Sequence, residues 1–227
     1  YKGIPKTDKV RYRVKEKTLR GFMNIENKKW VLKKRPVGHV KDSDFELVTE
    51  MLPEIKDGEI LLENIFLSFD PTQRGWLNDE PGYLPPVQID EVVRSGGIGR
   101  VLQSKNPEYK VGELTFGLVG WQTHCLTKPE AEDRFRIIPE LLPIPTMLNV
   151  MGSTGITAYY GLIELGNPQP RETVLVSGAA GATGSVVVQI AKLKGCHVIG
   201  IAGGKEKCDW LKGCLLYTSD AADDTCC

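Results

Sequence analysis

One stretch of about thirty residues constrains this chain more than any other, because its order of elements fits few folds. Thr173-Val-Leu-Val-Ser177 is a short β-branched run that reads as a strand. Gly178-Ala-Ala-Gly-Ala-Thr-Gly184 then gives a tight turn, and Ser185–Lys194 an apolar helix closed by Gly195. His197–Ala202 is a second strand, Gly203-Gly204 a second turn, and Lys205–Leu211 the start of a second helix. Strand, glycine turn, helix and strand in that sequence make a βαβ unit.

The first turn carries a chemical signature. A dinucleotide fold presents backbone N–H groups to a pyrophosphate at a helix N-terminus, and only residues with little or no side chain permit that approach. Here the fingerprint reads Ala179-x-Gly181-x-x-Gly184, with alanine at the first glycine position. Gly181 lets the backbone approach the phosphates, and Gly184 lets the helix lie close to the strand. The end of the second strand then separates the two nicotinamide cofactors. NAD sites place Asp or Glu about twenty residues after the turn to hold the ribose hydroxyls. This chain has Ala202-Gly-Gly-Lys-Glu-Lys207, with room for a phosphate and with Lys205 or Lys207 to bind it. The expected cofactor is therefore NADP.

Upstream the pattern differs. From Trp30 to about Lys128 the chain is β-rich: a first strand begins within Asn24–Leu32, and Phe45–Glu50, Glu59–Ser68, Gly97–Leu102 and Glu113–Val119 follow between Pro, Gly and Asn turns. Strands at this spacing predict a small barrel or sandwich. Leu148–Leu165 reads as helix, with Ile156, Tyr159-Tyr160 and Ile163 at three- and four-residue intervals and Gly166-Asn-Pro ending it.

Composition excludes several functions. A formal net charge of zero gives no field for nucleic acid or an acidic membrane. No apolar run reaches the ~18 residues of a spanning helix. Six cysteines without regular spacing predict a reducing, cytoplasmic setting. A catalytic zinc needs three ligands. With His39, His124 and His197 the complete set of histidines, His197 at the start of a strand, and His124-Cys125 the one tempting pair, no metal is expected. Residues 1–22 are basic and aperiodic and read as a leader preceding initiation at Met23, with a transit peptide as the alternative. Residues 213–227 continue no earlier pattern and read as foreign to the fold.

From about Lys29 to Lys212 the chain resembles the zinc-free prostaglandin reductase/alkenal reductase branch of the medium-chain dehydrogenase/reductases. The resemblance rests on Trp30-Val-Leu32, Leu67-Ser-Phe-Asp-Pro71, Arg74-Gly75, Val111-Gly112, Gly120-Trp-Gln122, Gly155-Ile-Thr-Ala-Tyr159, Val176–Gly184 and Gln189–Gly195. It implies an α/β plus β architecture: a GroES-like β-barrel substrate domain over 23–145, then the first part of a doubly wound Rossmann domain over 146–212. It also implies hydride transfer from NADPH to the C=C bond of an α,β-unsaturated aldehyde or ketone. On this resemblance Gly181, Ala182, Thr183 and Gly184 form the pyrophosphate turn, Lys207 holds the 2′-phosphate, and Thr157 lies where the nicotinamide approaches. A homodimer is expected, and further Rossmann strands are expected beyond this sequence.

Asp70-Pro-Thr-Gln-Arg74 stands where the family often has Asp-Pro-Tyr-Met-Arg, so Thr72 and Gln73 are expected to reshape the substrate entrance. No catalytic residue is assigned. A zinc-free quinone reductase, or an NADPH-binding protein without turnover, are the competing readings.

Overall fold

The computed structural model describes residues 25–80, 82–129, 135–139 and 143–215. The basic stretch 1–22, with Met23, and the final residues 216–227 lie outside them.

The N-terminal part is a GroES-like barrel built from two antiparallel sheets. Strands β1 (Glu26–Leu32) and β2 (Phe45–Met51) form a hairpin in which Trp30 faces Leu47. The main sheet runs in the order β6-β3-β4-β5-β7. Its strands are β3 (Ile60–Leu67), β4 (Gly96–Ser104), β5 (Leu114–Leu118), β6 (His124–Thr127) and β7 (Arg136–Ile138). Ile60, Leu62, Val101, Val119 and Cys125 pack together inside it. Ile60-Leu-Leu62 are buried in succession, against the alternation a strand should show, because the pairing shifts between Leu61 and Leu62. The hairpin is joined to the main sheet through buried Asn27. Its Nδ2 donates to Gln122 Oε1 at 3.0 Å, and its Oδ1 accepts from the backbone N–H of His124 at 3.0 Å. Both ends of that buried amide are thereby satisfied.

A short helix, α1 (Thr72–Trp76), follows Pro71. Here one expectation is corrected. Gln73 does not shape an entrance: it is buried, and its Nε2 donates to Ser68 O at 2.7 Å and Ser95 Oγ at 2.9 Å. A polar amide can occupy that interior position because the β3–α1 loop supplies an acceptor there.

The helix expected over Leu148–Leu165 is also revised. Ile144–Leu148 is a 3₁₀ turn entered at Pro143, and the α-helix proper, α2, runs Ser153–Tyr159 from an extended Gly152. It widens into a π-helical stretch over Tyr160–Gly166. The left-handed residue that ends it is Asn167 (φ 40°), so asparagine rather than Gly166 takes the capping conformation. Nor is the expected apolar face the buried one. Gly155, Ala158 and Leu162 face inward, whereas Ile156, Tyr159 and Tyr160 are exposed. Gly155 is pressed onto the backbone of Val150 in the preceding turn, and α2 packs directly on the helix after the glycine turn.

The βαβ unit forms as the sequence predicts. Strands β8 (Thr173–Ser177) and β9 (His197–Ile201) pair in parallel, from Thr173 beside His197 to Ser177 beside Ile201. Helix α3 (Ala182–Leu193) crosses between them, and α4 (Lys205–Leu215) follows β9 and continues past Gly213. Val176, Ala179, Val188, Ala191, Val198 and Leu211 make their common core, and Leu162 joins it. Among the described residues no helix is long and apolar enough to cross a membrane.

Candidate functional site

The turn after β8 is held in shape by its own backbone. Gly178 takes a left-handed conformation (φ 61°), and Gly181 N–H donates to Gly178 O at 2.8 Å. Ala179 N–H donates to Ile201 O at 3.0 Å, which fixes the turn to the end of β9. Ala179 is fully buried. A Cβ on Gly200 would lie 3.0 Å from its methyl group, so alanine at the first fingerprint position fits because β9 carries glycine opposite.

Helix α3 starts at Gly181, which is extended and makes no side-chain cap. The first helical bond is Ser185 N–H to Gly181 O at 2.9 Å. The N–H groups of Ala182, Thr183 and Gly184 therefore have no helical acceptor and point out of the helix end, where the dipole is positive. A Cβ on Gly184 would sit 2.4 Å from Gly178 O and 2.9 Å from Ala179 Cα. Glycine there is what lets the helix begin this close to the turn. Gly181, Ala182, Thr183 and Gly184 all lie at this helix start. Sequence reading passed over the part Gly178 plays, although a glycine directly after a strand was the available signal.

Beside this turn lies the end of β9. At Gly203 and Gly204 no heavy atom lies within 4 Å of where a Cβ would be, so the space above both is open. The two lysines that follow differ. Lys205 Nζ hydrogen-bonds and ion-pairs with Asp209 Oδ2 one turn along α4. That bond raises the Lys205 pKa above the ordinary lysine value and lowers that of Asp209 below the ordinary carboxylate value. Lys207 is exposed on the same first turn, and no carboxylate among the described residues pairs with it. Of the two candidates left open by the sequence, Lys207 is the available cation.

Thr157 lies elsewhere. It lines a cleft of about 580 Å³ together with Ser153 and Ile156 of α2, Phe116 of β5, and Phe135 and Arg136 at β7. The Arg136 guanidinium sits over the Phe116 ring, 5.0 Å from its centroid. None of Gly181–Gly184 or Lys207 lines this cleft. The two places are linked because α2, which supplies one wall, packs on α3. Phe116, Phe135, Arg136 and Ser153 carry no motif, so spacing gave no signal for them.

Comparison with known proteins fits this geometry. Residues 28–134 match a sequence family described as the N-terminal domain of oxidoreductase. The chain is 40% identical over 188 residues to the NADPH-dependent curcumin reductase of Escherichia coli (strain K12), covering 83% of this chain and 54% of that protein. It is 43% identical over 189 residues to prostaglandin reductase 1 of Oryctolagus cuniculus, covering 83% and 52%. Among solved structures, CurA from Vibrio vulnificus in complex with NADPH superimposes with a TM-score of 0.75 at 40% identity, covering 88% of this chain and 57% of that one. The chain belongs to the prostaglandin reductase/alkenal reductase branch of the medium-chain reductases. It spans about half the length of the curated relatives it matches.

Membership in that branch gives His124 and Cys125 a structural reading. They are neighbours on β6, so their side chains leave opposite faces of the strand. Cys125 points into the barrel core, and His124 Nδ1 lies 3.1 Å from Thr123 Oγ1 near the surface. Two side chains so directed cannot converge on one ion. Among the described residues no group of three or more His, Cys, Asp or Glu is placed to hold a metal.

Proposed function

We propose that these residues are the substrate barrel and cofactor turn of an NADPH-dependent reductase that saturates the C=C bond of α,β-unsaturated aldehydes and ketones. One observation carries the reading: the uncapped N-terminus of α3 lies against a glycine turn bonded to the end of β9, and that end bears Gly203, Gly204 and an available Lys207 in place of a carboxylate. The donor set suits the group. Peptide N–H groups from Ala182, Thr183 and Gly184 would hold the pyrophosphate, with Gly181 giving it room, and Lys207 would hold the 2′-phosphate.

Bound NADPH supplies a hydride, and conjugate reduction leaves negative charge on the substrate's carbonyl oxygen. The chain's own contribution lies in the cleft. Phe116, Phe135 and Ile156 give it apolar walls, and the hydroxyls of Ser153 and Thr157 are donors on it for a carbonyl oxygen. No proton donor is assigned among these residues.

Three measurements test the reading. Lys207→Glu should cost roughly 1.5–3 kcal/mol of NADPH affinity and leave NADH nearly unchanged, since one charge-assisted phosphate contact is lost. Equal weakening toward both cofactors would sink the assignment of Lys207. Turnover should survive exhaustive chelation; loss on chelation with recovery on adding zinc would mean that a metal site was missed. Enals and enones should drive NADPH oxidation faster than quinones of similar size. The reverse order would favour a quinone reductase, and binding without turnover of either class a non-catalytic protein.

A further inference from the structure

The first turn of α4 carries opposed charges in a pattern that the proposed phosphate site does not need. Lys205, Glu206 and Lys207 lie directly after the Gly203–Gly204 opening and Asp209 one turn beyond Lys205, two cations and two carboxylates together. The rotation of the helix is fixed by its buried side: Leu211 packs in the βαβ core, and buried Cys208 lies with its Sγ 3.8 Å from Ala202 O. With those two inward, Lys205 and Asp209 share an outer flank, four residues apart, and their side chains join. In a helix the fourth residue onward lies one turn, about 5.4 Å, toward the C-terminus. The pairing therefore draws the Lys205 ammonium down the helix, away from the N-terminal end where a 2′-phosphate would rest.

We propose that Asp209 is a specificity-determining residue: by holding Lys205 along α4 it keeps a second cation out of the 2′-phosphate site and so limits the preference for the phosphorylated cofactor. The inference rests on the NADPH reading above and adds a residue to it. Lys205 and Asp209 are both solvent-exposed, their side chains 89% and 51% accessible, so the restraint is a weak surface pair that one substitution or moderate salt removes. A weak restraint suits a tuning role, because its release changes affinity by a small factor without moving the backbone.

The test is calorimetric titration of the protein with 2′,5′-ADP, which carries the 2′-phosphate, and with ADP, which lacks it. Asp209→Asn should tighten 2′,5′-ADP about threefold, the scale of one exposed ion pair, and leave ADP unchanged. Lys205→Gln alone should alter neither ligand appreciably. The double variant Asp209→Asn/Lys205→Gln should lose the gain, which separates a freed lysine from the mere removal of a nearby negative charge. The gain should also shrink as salt is raised. Unchanged 2′,5′-ADP binding in Asp209→Asn, equal tightening of ADP, or a gain kept in the double variant would each overturn the inference. Should the unmodified protein bind both ligands equally, with Lys207→Glu also without effect, the NADPH reading itself fails and this inference falls with it. A thermal melt of each variant tests the helix: a lowered midpoint in Asp209→Asn together with weakened ADP would assign Asp209 a structural role and overturn the proposal.

Discussion

Gly184→Ala should reduce NADPH affinity by a factor of ten or more and destabilise the βαβ unit by roughly 2 kcal/mol. The added methyl would stand 2.4 Å from Gly178 O and 2.9 Å from Ala179 Cα, both rigid backbone atoms of the turn. Relief requires α3 to slide away from β8. That displaces the N–H groups of Ala182 and Thr183 from the position where a pyrophosphate would meet them. Gly181→Ala is the useful contrast, because its methyl would lie 3.1 Å from a single atom, Gly178 O. It should melt closer to the parent protein while still weakening the cofactor, since the methyl intrudes on the approach to the phosphates. Affinity retained in Gly184→Ala would show that the dinucleotide binds elsewhere.

Gly155→Ala is expected to be harsher on the fold. A Cβ there would sit 1.7 Å from Val150 O and 2.4 Å from Val150 C, because the turn that leads into α2 folds back onto the helix. Gly155 N–H donates to Asn149 O at 3.1 Å within the same turn, so no side chain can simply rotate out of the way. The cost should be about 3 kcal/mol, the upper end of ordinary overpacking, and should lower the melting midpoint by about 6–12 °C. Because α2 supplies Ser153, Ile156 and Thr157 to the cleft, turnover with an enone should fall further than cofactor binding does. If binding fell and turnover per bound cofactor did not, the cleft would not be the place of reaction.

These two glycines were unequally legible. Gly184 belongs to a spaced fingerprint between a strand and a helix, and its requirement follows from local geometry. Gly155 fell inside a run that read as unbroken helix from Leu148 to Leu165. Sequence periodicity did not show that the chain turns at Asn149–Gly152 or that the helix widens after Tyr159. The same limit hid the buried face of α2. Ile156 and Tyr159-Tyr160 satisfy a helical apolar pattern, yet the buried positions are Gly155, pressed onto the backbone of Val150, and Ala158. Short edge strands were missed as well: β6 with four residues and β7 with three are too brief for alternation to register.

By itself, then, the sequence determined what local backbone chemistry dictates. Strand and helix order, the glycine turn after β8 and the pair of glycines in place of a carboxylate just past β9 all depend on residues within a few positions of one another. The tertiary structure decided what depends on packing between distant segments. It gathered Phe116, Phe135 and Arg136 opposite Ser153 and Thr157, and turned Gln73 inward onto Ser68 and Ser95. The physical reason is that a turn or a strand is specified by the conformational preferences of its own residues, whereas a cleft wall is specified by whatever the core brings against it.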